Sequence, residues 1–489
     1  MQKIEGTLIG LEVHCQLTSL RTKLFCSCSA DYRDKAPNTS LCPVCLGLPG
    51  SLPVLNKRAV ELAVMVGMAL NCETPSQTIF YRKNYFYPDM PKNFQISQYD
   101  RAGGVAIAHN GQVTFNVNRQ PKTVHIRRIQ LEEDPGKLYY PGTIDTSPYV
   151  LVDYNRAGIA LLEIVTEPEF HSPQEARIFL QRLRSILEHL GVSDGTLEGS
   201  MRCDANISTN GGNRIEIKNI SSFKEVERAL NFEMTRQKDL VRKGVAIKME
   251  TRHWDDVRRI TVALRTKEEE QDYRYFPEPD LVPVKLDEDF TKRIEVNMPE
   301  LPDARRDRFV KEYAIPEYDA EVLTSDRALA DFYEQCAAHY KNPKNISNWL
   351  MGDALQVLYS LELEINQSRV TPESFAEMLT LIDRGTISGK IAKKILWEMF
   401  KTGKSASVLV KEQGMVRISD VDELKEFVSR VFTENAEAVR DSLVDEKAVH
   451  FLVGKLMALT RGRADPELAN QLIREELRKF AQQASLEKR

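Results

Sequence analysis

Glycine and proline, the residues that interrupt regular structure, crowd into the front of this chain. Of 24 Gly, 17 precede residue 245 and none lies between 245 and 351; of 22 Pro, 19 lie at or before Pro316. Turn-dense sequence suits many short strands, and turn-poor sequence suits helices. The distribution predicts an α+β chain with a β-rich front and an all-helical back. Its 489 residues are enough for about two to four domains. A Pro-punctuated stretch at Val296–Asp303 and a seam near Lys401–Ser407 divide it into 1–296, 297–405 and 406–489.

Local patterns agree. Thr7 to Thr18 alternates, with Ile9, Leu11, Val13, Cys15 and Leu17 opposite Gly10, Glu12, His14, Gln16 and Thr18. That is the period of a half-buried strand. Met201 to Ser208 alternates likewise, and Thr209-Asn-Gly-Gly-Asn213 is a turn signal before Ile215 and Ile217. Helical spacing covers about 57–70, 172–190 and 223–243 in the front part, then 325–339 and 372–384. Asp465-Pro466 opens a final helix as cap and first-turn proline.

Composition excludes several classes. With 42% hydrophobic and 28% charged residues the chain has material for real cores, so neither bulk disorder nor a disulfide miniprotein fits. A net charge of −4 excludes a uniformly basic nucleic-acid coat but not a local basic patch. No window approaches the roughly 20 apolar residues of a membrane span, and the first residues lack an apolar signal core. A cytoplasmic protein with reduced thiols is expected.

In that compartment the cysteines suggest metal. Cys26-x-Cys28 and Cys42-Pro-Val-Cys45 form two close pairs separated by a loop. Two such knuckles supply the four soft ligands that tetrahedral Zn²⁺ needs. Four thiolates leave no open position for substrate, so the expected site is structural, and a zinc-dependent hydrolase is disfavoured.

A second set of residues is acidic. Glu12 and His14 share the polar face of the first strand. Glu132 and Glu133 are adjacent, before Asp134-Pro-Gly136. Asp204 and Glu216 flank the turn at 209–213, and an odd-numbered loop puts them on one face. Carboxylates with one imidazole suit Mg²⁺. Each element alone is more often solvated or salt-bridged surface, and only convergence in space makes a site.

Cations alternate with aromatics in Tyr81-Arg-Lys-Asn-Tyr-Phe-Tyr-Pro-Asp89 and Asp272-Tyr-Arg-Tyr-Phe-Pro-Glu-Pro-Asp280. Such segments suit a nucleotide or terminal adenosine, or else an aromatic loop packed on the core. Gly385-Thr-Ile-Ser-Gly-Lys-Ile391 is one residue short of a phosphate loop and lacks Ser/Thr after the lysine, so it reads as a cap and a basic helix. Lys390, Lys393, Lys394, Lys401 and Lys404 against Glu398, and later Lys455, Arg461 and Arg463, give faces able to meet an RNA backbone.

Together these segments closely resemble the B-subunit family of bacterial and organellar aspartyl/glutamyl-tRNA amidotransferases. The resemblance rests on Ile9-Gly-Leu-Glu-Val-His14, Cys42-Pro-Val-Cys-Leu-Gly-Leu-Pro-Gly50, Arg82-Lys-Asn-Tyr-Phe-Tyr-Pro-Asp89, Gln95-Ile-Ser-Gln98, Leu131-Glu-Glu-Asp134 and Leu161-Leu-Glu-Ile-Val165. It continues in Arg202-Cys-Asp-Ala-Asn206, Glu216-Ile-Lys-Asn219, the 272–280 segment and Asn348-Trp-Leu-Met-Gly352. It runs the whole length, in order.

The resemblance implies a catalytic cradle, a helical domain and a tRNA-recognising tail. It implies that ATP phosphorylates the side-chain carboxylate of glutamate misacylated on tRNA(Gln), or aspartate on tRNA(Asn), and that ammonia then displaces the phosphate. By carry-over, Glu12, His14, Glu132, Glu133, Asp204 and Glu216 form the Mg²⁺ and catalytic shell. Lys83, Arg128, Lys218 and Arg274 contact phosphate or the aminoacyl group. No amidase-like Gly/Ser-rich stretch with a Ser-Ser-Lys triad is present. Ammonia is therefore expected from an amidase-type A subunit, with a small C subunit completing a heterotrimer. The zinc cysteines occur in only some members of the family, in keeping with a structural role.

Overall fold

The computed structural model describes residues 6–101, 103–142, 147–209, 211–265, 273–413, 421–442, 445–460 and 463–486. Asn210, Asp272 and Arg461 lie outside them. The chain divides into two units, Met1–Pro302 and Asp303–Arg489. The first is α+β and the second helical, as the glycine and proline distribution predicts.

The first unit is built on an eight-stranded sheet. Its strands are β1 (Thr7–Gln16), β2 (Ala108–Val117), β3 (Gln120–Glu133), β4 (Ala160–Thr166), β5 (Met201–Thr209), β6 (Ile215–Lys218), β7 (Glu250–Asp255) and β8 (Ile260–Arg265). They lie in the order β8-β7-β6-β5-β1-β4-β3-β2. All neighbours are antiparallel except the parallel pair β6 and β7. The first strand thus sits in the interior of the sheet, between β4 and β5.

One face of the sheet is covered by helices. These are α1 (Lys57–Ala69), α2 (Pro173–His189) and α3 (Phe223–Arg242). Each starts at a side-chain cap: Asn56, Ser172 and Ser222 accept from backbone N–H groups of the first turn. On β1, Ile9, Leu11 and Val13 are at most 1% exposed and join this core. Each contributes about 1.5–3 kcal/mol by leaving water. The alternating partners of these residues are left for the opposite face.

Beside the end of β3 lies a three-stranded sheet of Phe276–Pro277, Tyr81–Asn84 and Phe94–Ser97, in that order. Here the aromatic segments pack mostly on themselves. Tyr99 and Tyr275 stack with centroids 4.3 Å apart, and Tyr81 and Tyr99, and Tyr85 and Tyr273, meet edge to face. Phe86 and Tyr87 remain exposed.

The second unit holds two separate cores, one from Phe309 to Val410 and one from Leu424 to Leu477. Ala406, Leu409 and Val410 belong to the first of these, so its packing continues past residue 405. The segment resembling a phosphate loop is a helix start. Ser388 caps the helix Gly389–Thr402, whose Ile391, Ala392, Ile395, Leu396, Met399 and Phe400 are buried. Lys390, Lys393, Lys394, Lys401 and Lys404 are exposed. Among the described residues no helix is long and apolar enough to cross a membrane.

Candidate active site

The polar face of the sheet brings together residues far apart in the chain. In β1, Glu12 is paired with Asp204 of β5, and His14 lies between Arg202 of β5 and Glu163 of β4. Gln130 of β3 pairs with Glu163, and Glu132 with Leu161. Directly paired residues point to the same side, so four strands deliver Glu12, His14, Glu132, Glu163 and Asp204 to one place. His14 Nε2 lies 3.6 Å from Glu12 Oε1, 3.8 Å from Glu163 Oε2 and 4.0 Å from Glu132 Oε1. Two donor sets share this imidazole: Glu12, His14 and Asp204, and His14, Glu132 and Glu163.

These residues line a cavity of about 310 Å³. Its wall holds five carboxylates (Glu12, Glu132, Asp134, Glu163, Asp204) against three full cations (Lys83, Arg202, Lys218). The excess favours a cationic occupant. Burial pushes the Glu12 carboxyl up from its ordinary range, and repulsion from Glu163 adds to it. Ser97 Oγ donates to Glu132 Oε2 at 2.8 Å, orienting that carboxylate.

The predicted residues divide into those at the cavity and those beside it. Glu12, His14, Glu132, Asp204, Lys83 and Lys218 line it. Lys218 Nζ lies 2.9 Å from Asp204 Oδ2 and 3.6 Å from Glu216 Oε1. Burial works against the charge of Lys83, but Tyr275, Glu132 and Glu163 more than offset it and hold the ammonium above the usual lysine range.

Glu133, Glu216, Arg128 and Arg274 are not brought into the cavity. Glu133 follows Glu132 on a strand and so points to the other side. Lys92 Nζ reaches its Oε2 at 2.6 Å and Ile96 N donates to Oε1 at 2.8 Å. Glu216 is on the same side as Asp204. Ile207 pairs with Ile215 across the turn, leaving an odd-numbered loop. Yet Glu216 stands one strand further out, buried, accepting from Thr251 Oγ1 at 2.9 Å. Arg128 braces the site from outside, 3.3 Å from both Asp100 and Glu163. Arg274 has a left-handed backbone, and it is exposed over Phe86 while the Tyr273 and Tyr275 rings on either side are partly buried.

Several residues of the site are not singled out by sequence reasoning. Glu163 is the charged exception in the strand Ala-Leu-Leu-Glu-Ile-Val-Thr, and a lone carboxylate there is a usable signal. Asp134, which reads in sequence as part of a solvated turn, is 1% exposed. It accepts from Gln16 Nε2 and Arg202 Nη2, both at 2.7 Å. Burial raises its pKa, but Arg202 and Arg156 hold it below the usual carboxylate range.

Beside this site, Cys26, Cys28, Cys42 and Cys45 converge, their sulfurs all within 4.8 Å of one another. All four are free thiols. The hydrogen bond with Cys26 is the largest influence drawing the Cys45 thiol down, and the positive charge of Lys23 adds to it.

Comparison with known proteins gives the family of the chain. Residues 7–292 match the family model described as GatB/GatE catalytic domain, and residues 331–477 match the one described as GatB domain. A Sulfolobus acidocaldarius protein, named as the B subunit of aspartyl/glutamyl-tRNA(Asn/Gln) amidotransferase, is 53% identical over 470 residues, covering 96% of this chain and 99% of its own. Proteins of the same name from Carboxydothermus hydrogenoformans and Thermotoga maritima are 49% identical over 481 residues (97% of this chain, 99% of theirs) and 48% identical over 475 residues (95% and 98%). The chain therefore belongs to the family of B subunits of aspartyl/glutamyl-tRNA(Asn/Gln) amidotransferases.

Proposed function

We propose that this chain is the B subunit of a tRNA-dependent amidotransferase, a ligase that forms Gln-tRNA(Gln), Asn-tRNA(Asn) or both. Its first unit is the catalytic one. The γ-phosphoryl group of ATP passes to the side-chain carboxylate of the misacylated glutamate or aspartate, leaving ADP. Ammonia then attacks the acyl carbon, phosphate leaves, and the nitrogen loses a proton to give the amide. The observation that carries this reading is the convergence of Glu12, His14, Glu132, Glu163 and Asp204 on one cavity, in a chain whose relatives bear the amidotransferase name.

The donor sets suit Mg²⁺, a hard ion that takes oxygen ligands. Bound there, Mg²⁺ offsets repulsion between the phosphates and the substrate carboxylate. Lys83, Lys218 and Arg202 add positive charge on the same wall. Ser97 and Arg128 hold Glu132 and Glu163 in position. Glu133 and Glu216 support the neighbouring backbone and strands.

The four cysteines fit structural Zn²⁺: four soft donors, already gathered, and no open position. Ammonia comes from an amidase-type A subunit, with a small C subunit completing a heterotrimer. The third part of the chain contacts tRNA. The test is amidation of both misacylated tRNAs with an added ammonium salt, the A and C partners present. Product should depend on ATP and Mg²⁺ and be lost in Glu132→Ala and Asp204→Ala; activity surviving both substitutions overturns the assignment.

A further inference from the structure

Lys23 is 0% exposed. Its Nζ donates to the backbone oxygen of Ser40 at 2.9 Å, and no carboxylate among the described residues is ion-paired with it. A neutral carbonyl does not balance an ammonium taken out of water; a buried charge needs a counter-charge. The surroundings of Lys23 supply one. Its backbone N–H donates to Cys28 O at 2.9 Å, and Ser40 stands two residues before Cys42, so the residue ties the segment of the first cysteine pair to the segment that leads into the second. A Cβ built on Gly158 would meet Lys23 Cδ at 3.4 Å, Cys45 Cβ at 3.6 Å and Glu133 Oε2 at 3.9 Å, and that carboxylate is already taken by Lys92. Lys23 and Cys45 therefore both lie against Gly158.

Four thiolates around one divalent ion carry a net charge of −2. Such a centre in a protein interior faces the same penalty as the lysine, with opposite sign. We infer that Lys23 is the internal counter-charge of the four-cysteine metal centre. The inference rests on reading these cysteines as a zinc site. The ammonium and the metal–thiolate centre then stabilise each other, and each is costly to bury alone. Lys23 acts through the cysteines, so it is a positioning residue for the metal.

The experiment uses the full chain as wild type and Lys23→Met, with zinc itself as the probe. Zinc content, competition against a chromophoric chelator, and thermal unfolding with and without zinc are measured. Wild type should hold one zinc per chain. Lys23→Met should bind zinc about 10-fold or more weakly, the scale typical of lost outer contacts to a metal site. Without zinc, Lys23→Met should unfold close to wild type, because the doubly negative centre that Lys23 balances is then absent. With zinc, it should unfold lower. If Lys23 served only to tie down Ser40, the substitution would lower both melting temperatures equally and leave zinc affinity unchanged. Either result overturns the inference while leaving the zinc site standing. Wild type that holds no zinc overturns the zinc reading, and this inference with it.

Discussion

Glu132 and Glu133 are neighbours in the chain and face opposite sides of the sheet. Glu132 lines the cavity within 4.0 Å of His14, while Glu133 is engaged by Lys92 and the backbone of Ile96. The two carboxylates should therefore respond differently to the same change. Glu132→Gln removes a charge from the cavity and should cut amidation by about 100-fold, with little change in melting temperature. Glu133→Gln leaves Lys92 buried without its anion and should cost about 3–5 kcal/mol of stability. Denaturant unfolding of both variants, beside ammonia-supplied amidation, separates them. Equal activity losses at unchanged stability would contradict the geometry.

Glu163 reaches His14 from the strand opposite Glu12, and Arg128 holds it from the other side. Glu163→Gln should reduce amidation on the same scale as Glu132→Gln, about 100-fold, and raise the Mg²⁺ concentration needed for half-maximal rate. A variant with an unchanged Mg²⁺ requirement would remove Glu163 from the metal-binding wall.

How far the site can be read from the chain alone depends on which link each residue uses. The period-two pattern of 7–18 separates Glu12 and His14 from Ile9, Leu11 and Val13, because burial of one face is written in the alternation. The same rule separates Glu132 from Glu133, but their adjacency and shared charge invite one role for both. Glu163 is legible as an oddity in an apolar strand. Its meeting with His14 is not, because the β1–β4 pairing joins segments about 150 residues apart and no local pattern encodes it. The odd loop that sets Asp204 and Glu216 on one side is among the alternatives the turn allows; pairing of Ile207 with Ile215 selects it. Glu216 misses the cavity that Lys218 of the same strand lines for a reason no turn reveals, namely that its carboxylate is engaged by Thr251 of the next strand.

Asp134 links this site to acid stability. Burial alone would raise its pKa, yet Arg202 and Arg156 hold it below the ordinary aspartate value of 3.8. A depressed carboxylate binds protons more readily in the unfolded chain than in the folded one. Its stabilising contribution is therefore complete above the unfolded value and is lost as pH falls through that value towards the folded one. Melting temperature measured from about pH 6 down to about pH 2 should fall less steeply in Asp134→Asn than in wild type. At neutral pH the same variant should be less stable, because Arg202 loses its buried partner. Parallel curves in the acid range would show that Asp134 is not the group responsible.

Lys83 and Arg274 lie in two segments that look equivalent in sequence, each a cation between aromatic rings. Folding makes them unequal. Lys83 lines the cavity, its ammonium 4.8 Å from the centre of the Tyr273 ring and held charged beside Glu132 and Glu163. Arg274 has turned outward, its backbone oxygen accepting from Asn84 Nδ2 at 2.8 Å. Loss of the guanidinium removes only an exposed contact with Phe86, whereas loss of the ammonium leaves the cavity with a larger negative excess. Lys83→Met should reduce kcat/KM for ATP by about 100-fold, and Arg274→Ala should stay within about 2-fold of wild type. Steady-state amidation with ATP as the varied substrate measures both. The reverse order of effects would mean that phosphate is held on the outer side of the aromatic sheet, away from the carboxylates.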